Sequence, residues 1–160
     1  MVYQIKIVWD GPFSVKKIID TLDNGRTSPD FEGEDYGVYQ IYGKHILSGP
    51  NTLLYIGETT NQTFSGRFKQ HEEWLDREEN VRIYVGRVYD PKKHSKKDNW
   101  ASWIQDIETA EKILIYKYSP NYNTKNIYEK PLLPQKNIRL IHTGHKSRLH
   151  PKDNAPEDYT

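Results

Sequence analysis

Six side chains in the middle of this sequence have the types and spacing that phosphodiester hydrolysis needs. Tyr39 and Tyr55 fall near the middle of one strand-like segment and the end of the next, so one sheet face can present both phenols. Arg67 follows in a helix-like segment with His71 four residues further on, which puts guanidinium and imidazole on one helix face. Glu111 falls on a long second helical segment, and Asn123 just past its end. A single carboxylate suits one Mg²⁺, which keeps most of its waters and leans on substrate phosphate oxygens. Arginine neutralises charge that develops on the scissile phosphate. A tyrosine or a histidine can take the proton of an attacking water.

Each of these residues also has a plainer reading. Tyrosine is a common strand residue, and an Arg–His pair is the ordinary furniture of a solvated helix face. Glu111 shares its helix with Asp106, Glu108, Lys112 and Lys117, where surface ion pairs are the usual outcome.

Taken in order, the residues resemble the GIY-YIG nuclease family. The two halves of that name stand as Gly37-Val38-Tyr39 and Tyr55-Ile56-Gly57. After them come Thr59, the Arg67-x-x-x-His71 pair, and Glu111 with Leu114-Ile115, Pro120 and Asn123. The resemblance covers about residues 36–124. It implies an α/β (α+β) fold, with a small central three-stranded, mostly antiparallel sheet flanked by helices. That core would sit in a single domain, 1–160, with a strand-helix extension at 1–35 and a C-terminal extension at 125–160. It implies a metal-dependent endonuclease, a hydrolase that cuts DNA to leave a 5′-phosphate and a 3′-hydroxyl. On that pattern Tyr39 would deprotonate or orient the attacking water, and Tyr55 would hydrogen-bond the phosphate or help place the water. Arg67 would stabilise the pentacoordinate transition state. His71 stands where members use His or Tyr and would assist the tyrosine pair or the water. Glu111 would ligate Mg²⁺ or Mn²⁺, and Asn123 would fix the active-site loop or reach the metal site. A non-catalytic nucleic-acid-binding module on the same scaffold is the alternative, and an RNA-directed nuclease is a third reading. Two departures stand out. Fifteen residues separate Tyr39 from Tyr55, which enlarges the loop KHILSGPN and brings it toward DNA. Glu58 replaces the Gln or Lys of several relatives, and its charge can weaken substrate binding or alter the surroundings of the metal.

The elements that must position these groups are legible as periodicities. GVYQIYG at 37–43 and TLLYIG at 52–57 read as a hairpin with a rather long loop. Residues 63–78 read as a helix burying Phe64, Phe68, Trp74 and Leu75. VRIYVGRVY at 81–89 alternates as a third strand, and a helix runs from about 99 to 118, with Trp100, Trp103, Ile104, Ile107, Ala110 and Ile113 on its apolar face. Pro120 ends it. Ahead of the core, VYQIKIVW reads as a short strand, Asp10-Gly11-Pro12 as a turn, and Ser14 as the N-cap of a helix carrying Val15, Ile18, Ile19 and Leu22. Asp23-Asn24-Gly25 ends that helix and 26–36 reads as a loop. IRLIH at 138–142 reads as one more strand before a polar tail.

Composition bounds the rest. The 160 residues suit one domain, with 35% apolar and 28% charged side chains and a mean hydropathy of −0.90. Cysteine is absent, which excludes disulfides, thiolate catalysis and Cys-based zinc sites. No apolar run approaches the roughly 18–20 residues of a membrane span. The N-terminus does not read as a signal peptide, so a cytoplasmic, intracellular protein without a membrane partner is expected. Net charge is +1, but residues 1–36 carry four basic and seven acidic side chains, leaving the remainder mildly basic. The residues expected to meet nucleic acid are Thr59, Lys69, Lys92, Lys93, Lys96, Lys97 and Arg148. The histidines of the tail fit no zinc template. With no room for a large recognition domain, specificity falls to loops, a homodimer or a partner protein.

Overall fold

Alternation at the N-terminus is strict: Ile5, Ile7 and Trp9 are buried while their neighbours are not, which is the pattern of a strand with one face on a core. The computed structural model describes residues 1–21, 36–94 and 100–156. Within them run β1 (Tyr3–Phe13), α1 (Val15–Thr21), β2 (Gly37–His45), β3 (Gly49–Thr59) and α2 (Phe64–Leu75). Next come β4 (Arg82–Arg87), α3 (Pro91–His94), α4 (Trp100–Tyr118), β5 (Ile138–Gly144) and β6 (Lys152–Asn154). Ser14 caps α1, accepting from the Lys17 amide at 3.2 Å. Leu22, the Asp23-Asn24-Gly25 turn and the loop to residue 35 lie outside the described residues.

The strands form one six-stranded, curled, mixed sheet in the order β3-β2-β4-β1-β5-β6. Only β1 and β5 are parallel. This overturns the small three-stranded sheet that the resemblance implies. The N-terminal strand is no decoration: it lies between β4 and β5, and the C-terminal segment adds two further strands. The reason is edge pairing plus burial. A sheet ending at β4 would leave that strand's outer edge bare. β1 pairs it from Val8 to Phe13, and Ile5, Ile7 and Trp9 join Ile138 and Leu140 in the core under α4. The hairpin differs too. The loop between β2 and β3 is only residues 46–48, because the extra residues lengthen the strands, with register shifts after Ile41 and after Gly43.

Helices cover both faces. α4 packs Trp103, Ile107, Ala110, Ile113 and Leu114 against β1, β5, Val38 and Ile56. On the other face, α1 and α2 bring Ile18, Phe64, Phe68 and Leu75 against Tyr39, Ile41, Ile83 and Val85. Val38 and Tyr39 are neighbours in sequence and so point to opposite faces. No helix among the described residues is long and apolar enough to cross a membrane.

Two buried His–Asp pairs tie the outer elements down. The Trp9 indole donates to His142 Nδ1 at 2.9 Å, and His142 Nε2 lies 2.9 Å from Asp153, a carboxylate that also receives the Tyr118 hydroxyl. Burial alone pushes the Asp153 carboxyl up, but donors from His142 and Tyr118 and the charge of Lys117 outweigh it and hold it below the usual aspartate range. Likewise His94 Nδ1 accepts from the Asp90 amide at 2.9 Å, and its Nε2 meets Asp106 at 3.0 Å, where the Tyr3 hydroxyl also donates. Asp153 has no side-chain exposure, so removing its charge leaves two donors with a poorer acceptor and Lys117 without its counter-charge. Asp153→Asn is expected to lower stability by about 3 kcal/mol, read by urea unfolding at pH 7. Because the folded-state pKa is depressed, this stabilisation is present above the ordinary aspartate range and is lost as pH falls below it. The variant and the wild type should therefore converge in stability in acid.

Candidate active site

Tyr39 stands on β2 directly opposite Gly57 of β3, and its ring lies across that glycine. A Cβ at Gly57 would run into the phenol's Cζ and Oη. Gly37 is constrained in a similar way, since a side chain there would meet the Gly86 carbonyl of β4 and the Phe64 ring. Tyr55 projects on the same face, with its ring centroid 6.1 Å from that of Tyr39. α2 brings the next two groups. Thr63 caps it, accepting from the Gly66 amide at 3.0 Å, and Phe68 packs edge-on against Tyr39, fixing the helix's rotation over the sheet. That rotation aims Arg67 and His71 at one atom: Arg67 Nε donates to Tyr39 Oη at 3.2 Å, and His71 Nε2 lies 3.0 Å from the same oxygen. A Gln62–Gln70 pair supports Arg67 from the solvent side, with Gln70 Oε1 accepting from its Nη1 at 3.2 Å. Arg67 carries five N–H donors; those contacts use two and Tyr55 receives another, which leaves donors for an anion.

Glu111 lies on α4 and is coupled to these groups by charge. Its charge acts on both phenols, and the charges of Arg67 and Glu58 act on it. Burial, then repulsion from Glu58, push the Glu111 carboxyl up to about 8. Glu58 is also raised, by burial first and then by Glu108, and one of its oxygens is buried without a hydrogen-bond partner among the described residues. Glu58 stands opposite Val38, on the sheet face that α4 covers, and its charge still acts on Tyr55 and Arg67. Burial raises both tyrosines, Tyr39 in spite of Arg67, so both are neutral phenols near pH 7. His71 moves the other way, down to about 4, through burial and the Arg67 charge, and is a neutral imidazole.

The structure therefore brings Tyr39, Tyr55, Arg67 and His71 together, with Glu111 on α4 coupled to the phenols and to Arg67 through its charge. Asn123 has a different place. Its carboxamide accepts from the Ile56 amide and donates to the Ile56 carbonyl, both at 2.9 Å, continuing the β3 edge as a strand neighbour would. Of its two expected roles, this is the anchoring one. Thr59 is buried, and its hydroxyl accepts from the Gly37 amide at 3.2 Å, so it pins the strand pair and is not positioned to meet nucleic acid. Lys93 donates to the Gln4 carbonyl and lies 4.2 Å from the centroid of the Tyr3 ring, which ties it to β1. Lys69, Lys92 and Arg148 are exposed. Lys96 and Lys97 lie outside the described residues. Sequence reasoning missed the Gln62–Gln70 support and the contact of Trp74 with His71; the three-residue spacing of the latter pair on a helix was the available signal.

A cation would find Glu111 a fitting ligand, because a half-buried carboxylate crowded by a second one needs a positive charge to ionise. Among the described residues no group of three or more His, Asp or Glu forms a cage. The donor set thus suits an ion that keeps most of its own waters, as Mg²⁺ does. Two clefts of about 570 and 870 Å³ flank the C-terminal segment, and none of these site residues lines either. Comparison with protein-family models, with curated proteins and with solved structures finds no match to this chain.

The ring of Tyr39 over Gly57 can be tested directly. Gly57→Ala is expected to cost about 1–3 kcal/mol by overpacking and to alter the near-ultraviolet tyrosine dichroism. Wild-type stability and spectrum in this variant would show that the ring lies elsewhere.

Proposed function

We propose that this chain is a metal-dependent endonuclease of the GIY-YIG class, hydrolysing phosphodiester bonds in DNA to leave a 5′-phosphate and a 3′-hydroxyl. The observation that carries this reading is the convergence of Arg67 Nε and His71 Nε2 on one phenolic oxygen, within 3.2 and 3.0 Å, beside a second phenol and a carboxylate with a raised pKa. Motif order supports the class, and the geometry supports the roles. Arg67, with uncommitted donors, binds the scissile phosphate and offsets the charge that builds up in the transition state. Tyr55 is a neutral phenol and donates to a phosphate oxygen. Tyr39 orients the attacking water, and two N–H donors on its oxygen favour the phenolate that would take the water's proton. Glu111 holds the divalent cation, Mg²⁺ or Mn²⁺. That ion, when bound, supplies Lewis-acid polarisation of a phosphate oxygen. Asn123 keeps the segment after α4 on β3. Lys69, Lys92 and Arg148 offer backbone phosphate contacts, and the choice of site on DNA rests on loops, a second copy or a partner protein.

Supercoiled plasmid with Mg²⁺ or Mn²⁺ is the direct assay, run beside matched RNA. Wild type is expected to cut the DNA. Arg67→Ala and Glu111→Ala should each lose about 10²-fold or more while keeping the fold by circular dichroism. Discrete fragments would mean sequence recognition by the chain itself, and nicked circles would leave recognition to a partner. An untouched plasmid that the folded protein nevertheless binds would overturn the enzyme in favour of a binding module, and RNA cleavage alone would move the substrate.

Cation affinity should follow the Glu111 proton. Below about 8 the proton competes for the carboxyl, so Mn²⁺ binding is expected to tighten about tenfold per pH unit up to that point and to level off above it. In the metal-free protein the same raised carboxyl makes stability fall as pH climbs from the ordinary glutamate range toward about 8. Calorimetric titration at several pH values reads the first effect. An affinity independent of pH would remove Glu111 as the ligand.

A further inference from the structure

Four of the six histidines accept an N–H at Nδ1: His45 from the Leu47 and Ser48 amides at 3.2 and 3.1 Å, and three others from a partner within the fold. His142 Nδ1 accepts from the Trp9 indole, His94 Nδ1 from the Asp90 amide and His71 Nδ1 from the Trp74 indole, each at 2.9 Å. An indole N–H and an amide N–H can only donate, so in each case Nδ1 must present its lone pair. A neutral imidazole then carries its proton on Nε2. In His142 and His94 that proton faces an aspartate, Asp153 or Asp106, and the pairs hold strands and helices together. In His71 it faces the oxygen of Tyr39.

We infer that Trp74 is a positioning residue of the proposed nuclease site: its indole N–H fixes His71 as the Nε2–H tautomer, so that His71 is a hydrogen-bond donor to Tyr39 and not a base toward it. This rests on the nuclease reading for its catalytic meaning, and on the 2.9 and 3.0 Å contacts alone for the tautomer. To take a proton from Tyr39, His71 would need its lone pair on Nε2 and its proton on Nδ1, where it would meet the indole N–H donor to donor. A doubly protonated ring meets the same conflict. The titratable groups facing His71 are Tyr39 from β2, Tyr55 from β3, whose ring centroid is 5.9 Å away, and Arg67 from its own helix. None of these is an anion at neutral pH that could hold a proton on the ring, and the downward shift of its pKa agrees.

The consequence lies at Tyr39. Its oxygen receives N–H groups from both Arg67 and His71, so its own O–H must point to a third acceptor, a water or a substrate oxygen. Both donors strengthen when the phenol ionises, and so they stabilise the phenolate against the burial that opposes it. Trp74 thus acts two bonds away from the chemistry. Its ring meanwhile packs edge-on against Tyr55 and Tyr122, with centroids 6.3 and 6.2 Å distant, which a phenylalanine can keep.

The test reads the tautomer and cleavage separately. Protein labelled with ¹⁵N at histidine is examined at pH 7 by long-range ¹⁵N–¹H correlation, with His71 assigned from the spectrum of His71→Gln. Wild type is expected to show a pyridine-like Nδ1 and a pyrrole-like Nε2 at His71, as at His94 and His142. Trp74→Phe should change the His71 pattern toward a mixture and leave the other two unmoved, which also reports an intact fold. A protonated Nδ1 in wild type, or a His71 pattern that Trp74→Phe does not alter, overturns the inference. In the plasmid assay, Trp74→Phe should lower kcat several-fold with little change in KM and displace the rising limb of the pH–rate profile to higher pH, since Tyr39 loses a donor. His71→Gln keeps an N–H donor but cannot serve as a base, so it should retain more activity than His71→Ala. Equal activity of these two variants would favour the base and overturn the donor role. The expected tautomer without any cleavage by wild type would confirm the wiring and remove only the nuclease reading.

Discussion

Burying a polar atom obliges the fold to give it a partner, and the core of this protein is organised around that obligation at Tyr39. The ring fills the space over Gly57 and under Phe68, so its oxygen arrives inside a half-buried layer where an unmet hydroxyl would cost about 1–3 kcal/mol. Arg67 and His71 supply the partners, and each needs support in turn, from the Gln62–Gln70 pair and from Trp74. The same rule governs Asn123, whose carboxamide completes both backbone groups of Ile56, and Thr59, which receives the Gly37 amide. Groups that look catalytic when read along the chain thus divide by what they satisfy. Asn123 and Thr59 close the backbone, while Arg67 and His71 close a side chain that can itself react.

The sheet shows how a site of a few strands is held by more than its own hairpin. β2 and β3 carry the phenols, but β4 is sandwiched between β2 and β1, and β1 is in turn held by β5, which β6 backs. His142 with Asp153 joins β5 to β6 and His94 with Asp106 joins α3 to α4, while the hydroxyls of Tyr118 on Asp153 and of Tyr3 on Asp106 fasten β6 and β1 to α4, the helix that carries Glu111. Residues at the two ends of the chain therefore contribute to the position of a carboxylate in the middle of it. The buried histidines form a small series in which one ring orientation serves two ends. Facing a carboxylate, the Nε2–H group makes a structural clamp. Facing a phenol, it sets the proton inventory of a site.

Electrostatics at the site oppose one another in a way that suits a polyanion and a cation arriving together. Arg67 provides the fixed positive charge, and Glu58 and Glu111 crowd two carboxyls into a partly dry region. Neither carboxyl is comfortable ionised there, and the phenols stay protonated. A divalent ion and a phosphate would relieve these strains at once, which is the physical content of the proposed nuclease. Glu58 makes the free site harder to ionise than a neutral residue at that position would.

Local periodicity was enough to place β2, β4, α2 and α4 within a few residues, because each buries one face and so repeats at two or at three to four residues. The six candidate residues were named from type and spacing alone, since Arg67 and His71 share a helix face whatever that helix packs on. Three things were not legible. One was the size of the sheet: an alternating strand such as β1 says that it has an inner face but not which edge it joins, and only pairing with β4 and β5 decides that. A second was the hairpin, whose extra residues could lengthen a loop or two strands; the register shifts near Ile41 and Gly43 are long-range facts. The third was the direction of hydrogen bonds. The sequence alone determined which groups could carry a proton, from residue type. Which atom carries it was decided by the tertiary structure, because an indole from one position, a guanidinium from another and a phenol from a different strand must meet around a single ring before its tautomer has any reason to be one or the other.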